Sequence, residues 1–254
     1  MAGYYNCEAL IIKTMPYRES DEIITFFAPD IGKKKALARG VKKAKSALRA
    51  PLQPFCHSKL FMVQGRELDT ITQAAIIDFF PALRDEFTLS LTAMYIMELL
   101  DKGLSENESA PPIFRLTLAV LEGIAAGIES TLLLRFFELN LMACLGYRPQ
   151  LQYCTRCRQT SHLTAFSPAL GGIICAECSQ NDVNLMRQTI SGDTLGIMRL
   201  LLGGEVQVCR RLKITPDSLH ELESIMEAFW LYHLEQPLQM KSLLHKFAAD
   251  SSPR

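Results

Sequence analysis

A chain of 254 residues that is 48% hydrophobic is long enough for one large or two ordinary domains with real cores, and too apolar to be disordered. Its most apolar region, residues 116–145, is interrupted by Glu122, Glu129, Arg135 and Glu138, so no charge-free run of membrane-spanning length occurs, and a soluble protein with no membrane partner is expected. The net charge of zero conceals a segregation: residues 31–66 hold ten Lys or Arg and no Asp or Glu, leaving 17 basic and 27 acidic residues elsewhere, the asymmetry of a chain that meets a polyanion.

Residues 1–80 read as short strands with turn signals. Two β-rich runs, 7–13 and 22–27, flank Pro16, which has no N–H to give a central ladder. Asp30-Ile31-Gly32-Lys33 predicts a hairpin turn. A third strand over 34–40 then sets Ala36 and Ala38 on one face and Lys35, Leu37 and Arg39 on the other. Runs 59–63 and 68–76, joined by the tight turn Gln64-Gly65-Arg66, make a fourth and a fifth. Five short antiparallel strands in this length predict a small barrel, of which the OB-fold is a nucleic-acid-binding example.

From Phe79-Phe80-Pro81 onward the period changes to helical. Segments 87–100, 113–128 and 132–145 are too apolar for a wet face and are expected to pack on one another, with Pro111-Pro112 opening the second and Gly146 closing the third. A short helix follows over 193–202. Thr215 reads as an N-cap with Pro216 at the first helical position, ahead of Leu219, Leu222, Met226 and Phe229 at helical spacing. A last helix is expected over 238–247 and a disordered tail over 249–254. The fold class is multi-domain α+β: an all-β OB-type barrel over 1–80, then an all-helical domain over 81–254 with a ribbon insertion at 150–180.

That insertion carries the sharpest motif. Cys154 and Cys157 enclose two residues, seventeen follow, and Cys175 and Cys178 enclose two more, which is the ligand spacing of a structural zinc ribbon. Gly171-Gly172 supplies a turn that lets 163–167 fold back on 173–175, and four thiolates around Zn2+ leave no position for a catalytic water. Disulfides are the rival reading. Residues 1–8 lack the charged and apolar regions of a secretory signal, which favours a reducing cytosol and thus metal. Cys7, Cys56, Cys144 and Cys209 lie in apolar surroundings and are expected to be buried.

Lys33, Lys34, Lys35, Arg39, Lys42, Lys43, Lys45 and Arg49 fall on the third strand and the loop after it. Such a run repels itself unless it meets phosphate, whose neutralisation releases counterions and gives affinity without sequence reading. The competing reading is a solvated surface. Tyr4, Tyr5, Phe55 and Phe61 are candidate stacking platforms, although aromatics at strand spacing are more often core. No catalytic motif accompanies them: there is no phosphate-binding Gly-rich loop, His220-Glu221 lacks the second His of a zinc protease, and His233-Leu234-Glu235 follows the cysteines instead of preceding them as in a deaminase. A non-enzymatic role is expected.

Three stretches together resemble the RecO family of bacterial recombination mediators: Ala38-Arg39-Gly40-Val41-Lys42-Lys43-Ala44-Lys45-Ser46 with Leu52-Gln53-Pro54-Phe55, then Arg135-Phe136-Phe137-Glu138-Leu139 leading to Leu145-Gly146-Tyr147, and the ribbon with Gly171-Gly172 before Cys175. The resemblance implies an OB domain that binds single- and double-stranded DNA and anneals complementary strands without ATP. It implies RecR and the C-terminal tail of single-strand-binding protein as partners, loading of RecA as the indirect outcome, and a place in the bacterial cytoplasm at the nucleoid. Arg135 matches a motif position and is the candidate contact for that acidic tail. A different adapter, RNA-binding or transcription-associated, and a pure scaffold docking an acidic protein are the alternatives.

Overall fold

The computed structural model describes residues 3–182, 184–234, 238–240 and 243–244. The expected tail over 249–254 and much of the expected last helix lie outside these residues. The chain divides into two compact units, one formed by Met1–Ala125 together with the segment that begins at Leu238, the other by Ala126–Pro237.

In the first unit, β1 (Tyr4–Pro16), β2 (Glu22–Ala28), β3 (Gly32–Ala38), β4 (His57–Val63) and β5 (Asp69–Asp78) close a barrel in the order β1-β2-β3-β5-β4, the OB arrangement. Closure comes from β1 and β4, paired from Tyr4 opposite Val63 to Leu10 opposite His57. One expectation is corrected: the strands are not all antiparallel, because β3 and β5 run parallel where Ala36–Ala38 meet Asp69–Ile71. Such a pair needs a crossover, and the loop after β3 together with β4 provides it.

Side chains alternate as the pleat requires, so Ala9 and Ile11, Ile24 and Phe26, Ala36 and Ala38, and Leu60 and Met62 fill the barrel. On β1 and β2 the outward residues are buried as well: Leu10, Ile12 and Phe27 are all covered. Helices α1 (Pro81–Asp85), α2 (Phe87–Gly103) and α3 (Pro111–Ala125) complete this unit, with α2 on β1 and α3 on β2. Phe114 meets Phe27 edge to face at 5.5 Å between ring centroids. Two-sided burial explains why the strand runs look continuously apolar in sequence.

The second unit contains α4 (Ser130–Cys144), β6 (Leu163–Ser167), β7 (Gly172–Cys175), α5 (Ala176–Gln180), β8 (Gln188–Thr189), α6 (Gly192–Gly203), α7 (Gln207–Arg211) and α8 (Pro216–Leu234). The α4 helix, expected beside the two helices before it, finds its partners here in α6 and α8. Its first turn is capped by Glu129, whose carboxylate accepts from the N–H groups of Thr131 and Leu132 at 2.9 and 2.7 Å. Thr215 caps α8 as expected, with Oγ1 accepting from Ser218 N–H at 3.2 Å. Cys56 and Cys209 are buried and Cys7 half-buried, but Cys144, at the last turn of α4, is exposed, contrary to the expectation for it.

Candidate nucleic-acid interface and candidate metal centre

The eight cations do not share one environment. Lys33 is 8% exposed; its ammonium donates to the Asp101 carbonyl and lies 3.8 Å from the Asp101 carboxylate. Burial pushes its pKa down, against the pull of Asp101 and Glu106. Lys34 turns toward one end of the barrel, where it sits 3.6 Å from Asp69 and over the Tyr5 ring. Asp69 also accepts from the Tyr5 hydroxyl at 2.5 Å and from Gly65 N–H at 3.0 Å. Lys35 donates to Glu106 at 2.6 Å, a contact that holds the lysine pKa up and the carboxylate pKa down.

Asp69 opens β5, Asp101 belongs to α2, and Glu106 to the connection that follows α2. The connection lies along β3: Asn107 N–H donates to the Lys33 carbonyl at 3.0 Å, and Ala110 N–H to the Pro29 carbonyl at 3.0 Å. At Gly32, φ is +75°, and a Cβ would collide with the Glu108 backbone, so glycine admits both the turn and the close approach.

The remaining cations stand differently. Arg39, expected on the strand, lies in the turn after it, and Arg39, Lys43, Lys45 and Arg49 are exposed while Lys42 is half-buried. Among the described residues none of these five has an acid within ion-pair distance. Their loop is nevertheless anchored. Val41, Leu52 and Cys56 enter the barrel core. Lys42 N–H reaches the Ser20 carbonyl at 3.1 Å, Ser58 Oγ donates to the Pro51 carbonyl at 2.7 Å, and Phe55 N–H donates to the Ile11 carbonyl at 2.7 Å. Successive tight turns, with Ser46 N–H on the Lys43 carbonyl and Arg49 N–H on that of Ser46, connect these points.

Arg84 locks the far side. Its guanidinium lies 3.9 Å from the centroids of both Phe55 and Phe79 and donates to the Phe79 carbonyl at 2.7 Å and the Pro54 carbonyl at 2.9 Å. Sequence reasoning missed Arg84, and a lone arginine after a proline carries no local cue to such a role. Of the stacking candidates, Tyr4 is 82% exposed and Phe61 half-exposed under Lys59, whereas Tyr5 is tied to Asp69 and Phe55 lies buried against Arg84.

In the second unit the structure brings the ribbon cysteines together. Sγ atoms of Cys154, Cys157, Cys175 and Cys178 all lie within 4.8 Å of one another. A tetrahedral Zn–thiolate site with bonds of about 2.3 Å has sulfur–sulfur edges of about 3.8 Å, so the donor set fits a metal ion of this class. Two knuckles present the sulfurs. In the first, Arg158 N–H turns back to the Cys154 carbonyl at 2.9 Å with Arg158 at φ +65°. In the second, Cys175 begins α5 and its sulfur accepts from Cys178 N–H at 3.5 Å.

The clustered sulfurs hold their protons unequally. Burial raises the Cys154 pKa, but backbone N–H groups of Cys157, Cys175 and Arg156 outweigh it and bring the thiol to about 6. Cys178, hydrogen-bonded to Cys175, is pushed up to about 12, as expected of sulfurs competing for one negative charge. Gly171 takes φ +64° in the turn between β6 and β7, and Gly172 lies against the Gln150 backbone, where a Cβ would collide. The ribbon packs on its own unit through Phe166, edge to face on Phe229 of α8 at 5.3 Å.

Arg135 is a correction. The expected contact for a partner's tail is 2% exposed on α4, its guanidinium 3.1 Å from Glu138 and 3.6 Å from Glu223. In this fold it stands as an internal ion pair, because a charge so deep needs paired acids. The sequence cue misled because an i,i+3 Arg and Glu on an apolar helix look the same whether they face water or core.

An OB barrel with an anchored cationic loop, followed by helices and a four-cysteine ribbon, defines the class. Residues 1–80 match the family described as Recombination protein O N terminal, and residues 84–242 that described as Recombination protein O C terminal. The chain is 40% identical over 224 residues to a DNA repair protein RecO of Syntrophomonas wolfei, covering 88% of this chain and 89% of that one. It is 34% identical over 244 residues to one of Desulfitobacterium hafniense, covering 95% and 89%, and 32% identical over 242 residues to one of Dehalococcoides mccartyi, covering 94% of each. This chain belongs to the RecO family of DNA repair proteins. Among the described residues no helix is long and apolar enough to cross a membrane.

Proposed function

We propose that this protein binds single- and double-stranded DNA through its barrel unit, anneals complementary strands without ATP, and helps transfer DNA from single-strand-binding protein to RecA, with RecR and the tail of single-strand-binding protein as partners. The observation that carries the reading is the anchored loop with Arg39, Lys42, Lys43, Lys45 and Arg49, none of them paired with an acid among the described residues. Phosphates supply the missing counter-charge. A cationic face that grips two backbones lowers their mutual repulsion and leaves the base edges free to pair. Residues 1–80 serve as the DNA-binding domain and residues 81–254 as the helical domain with its ribbon.

The metal in this reading is zinc, held by Cys154, Cys157, Cys175 and Cys178 in a closed structural site. Bound zinc supplies cross-linking only, and the four side chains hold β6, β7 and the two knuckles in register. One zinc per chain by elemental analysis, lost together with native unfolding behaviour in a Cys154→Ser, Cys175→Ser variant, is the expected result. Annealing of complementary strands coated with single-strand-binding protein, in the absence of ATP, tests the main reading. Acceleration of that reaction supports it, and an inert protein, or one that prefers RNA in competition, overturns it.

A further inference from the structure

Beside the cationic loop the first unit carries a groove of about 210 Å³, lined by Thr14, Glu22, Lys42, Arg49, Gln53 and Pro54 over a floor of Val41 and Leu52. Lys42 and Arg49 come seven residues apart in sequence, and the turns between them bring both to the same depression. No acid lies within ion-pair distance of either among the described residues. The walls are fixed: Val41 and Leu52 are buried in the barrel core, Lys42 is tied through its N–H to Ser20, and Gln53 is touched by the Arg84 guanidinium.

We propose that this groove is a nucleotide subsite for single-stranded DNA, taking one phosphodiester between Lys42 and Arg49 and the unstacked base of the same nucleotide against Pro54. The proposal rests on the DNA-binding reading above and narrows it. Two cations lining one groove match a phosphate, with Arg49 able to present its guanidinium fork to two phosphate oxygens. The space exceeds what a phosphate fills, and the half-buried Pro54 gives it an apolar side that suits a base and not a second charge. Glu22 reinforces that division. A carboxylate in the lining repels phosphate and can accept from a base amino group, while Thr14 and Gln53 offer further polar contacts to a base edge. A base paired within a duplex cannot enter, so the subsite discriminates for single strands while Lys43 and Lys45 serve both forms.

The test compares two double variants of the full chain, Lys42→Gln with Arg49→Gln, and Lys43→Gln with Lys45→Gln, on a 15-nucleotide mixed-sequence single strand, an abasic strand of equal length, and a duplex. Both remove two charges, so counterion release alone lowers their affinities equally. The groove pair is expected to lose about tenfold more affinity for the base-bearing strand than the other pair does, with no such excess on the abasic strand or the duplex. Equal losses by the two pairs overturn the subsite, as does wild-type protein that binds abasic and base-bearing strands alike. Wild-type protein that binds no DNA overturns instead the function on which the subsite rests. Unchanged urea midpoints establish that both variants fold.

Discussion

The β3 strand and the loop that follows it are both basic and free of acids in sequence, and opposite in structure. On β3, Lys33, Lys34 and Lys35 each meet an acid of their own unit, Asp101, Asp69 or Glu106. In the loop, Arg39, Lys42, Lys43, Lys45 and Arg49 meet none among the described residues. Charge density in a sequence therefore counts cations but not their availability: β3 lies beside β5, α2 and the connection after α2, whose acids neutralise it, and the loop's cations meet no such acid. The loop keeps its charges free because its order comes from apolar anchors and backbone hydrogen bonds, leaving the ionic groups uncommitted.

The comparison breaks most visibly if the loop is neutralised. Replacing its five cations by Gln is expected to lower the salt slope of single-strand binding by roughly 3.5, taking about 0.7 per phosphate contact, and to abolish annealing; binding titrations between low and moderate salt measure it. Next in size is the anchor. Arg84→Ala removes the clamp on Phe55, Phe79 and Pro54, and unfolding in urea is expected to show a loss of about 1–3 kcal/mol, with DNA affinity reduced although no phosphate contact is deleted.

Smaller effects sharpen the strand side. Despite the upward push of burial, the Asp69 carboxyl is held below its ordinary range by the Tyr5 hydroxyl, Gly65 N–H and Lys34. Its contribution to stability is complete above the ordinary carboxylate pKa and is lost as pH falls through the depressed one. Asp69→Asn is thus expected to flatten the acid limb of the stability profile in this window. Glu106→Gln frees Lys35, and since both groups are about half exposed the pair is weak; the salt slope on single strands is expected to rise by about 0.7 with a gain of a few-fold in affinity. Lys33→Met, last, leaves the slope as it was, because that ammonium already belongs to Asp101.

The sequence was a good guide wherever spacing alone determines structure. Four cysteines at fixed intervals, a double glycine between them and β-rich runs with turns locate the ribbon and the barrel strands within a few residues, since local geometry decides both. It was a poor guide wherever a charge is answered from far along the chain. Glu106 lies 71 residues from Lys35 and Asp101 lies 68 from Lys33, and nothing near β3 announces them. The strand period places Lys35 outward correctly but is silent about the connection laid over it. Arg135 failed for a related reason, its second acid, Glu223, being on α8. The parallel pairing of β3 with β5 belongs to the same group, as strand order is a property of closure and not of any strand.

One detail of the chain's path bears on how the molecule is made. Gln239 and Met240 bring their N–H groups to the two oxygens of Glu98, at 2.8 and 2.9 Å, so the segment that begins at Leu238 returns to α2 over a sequence separation of 141. On the ribosome, the barrel and its first helices emerge long before that segment does, and the whole of Ala126–Pro237 must be translated in between. Until then the Glu98 carboxylate has the Lys102 ammonium of its own helix at 3.4 Å, and its contact with 239–240 closes after Ala126–Pro237 has been translated, later than the barrel strands emerge.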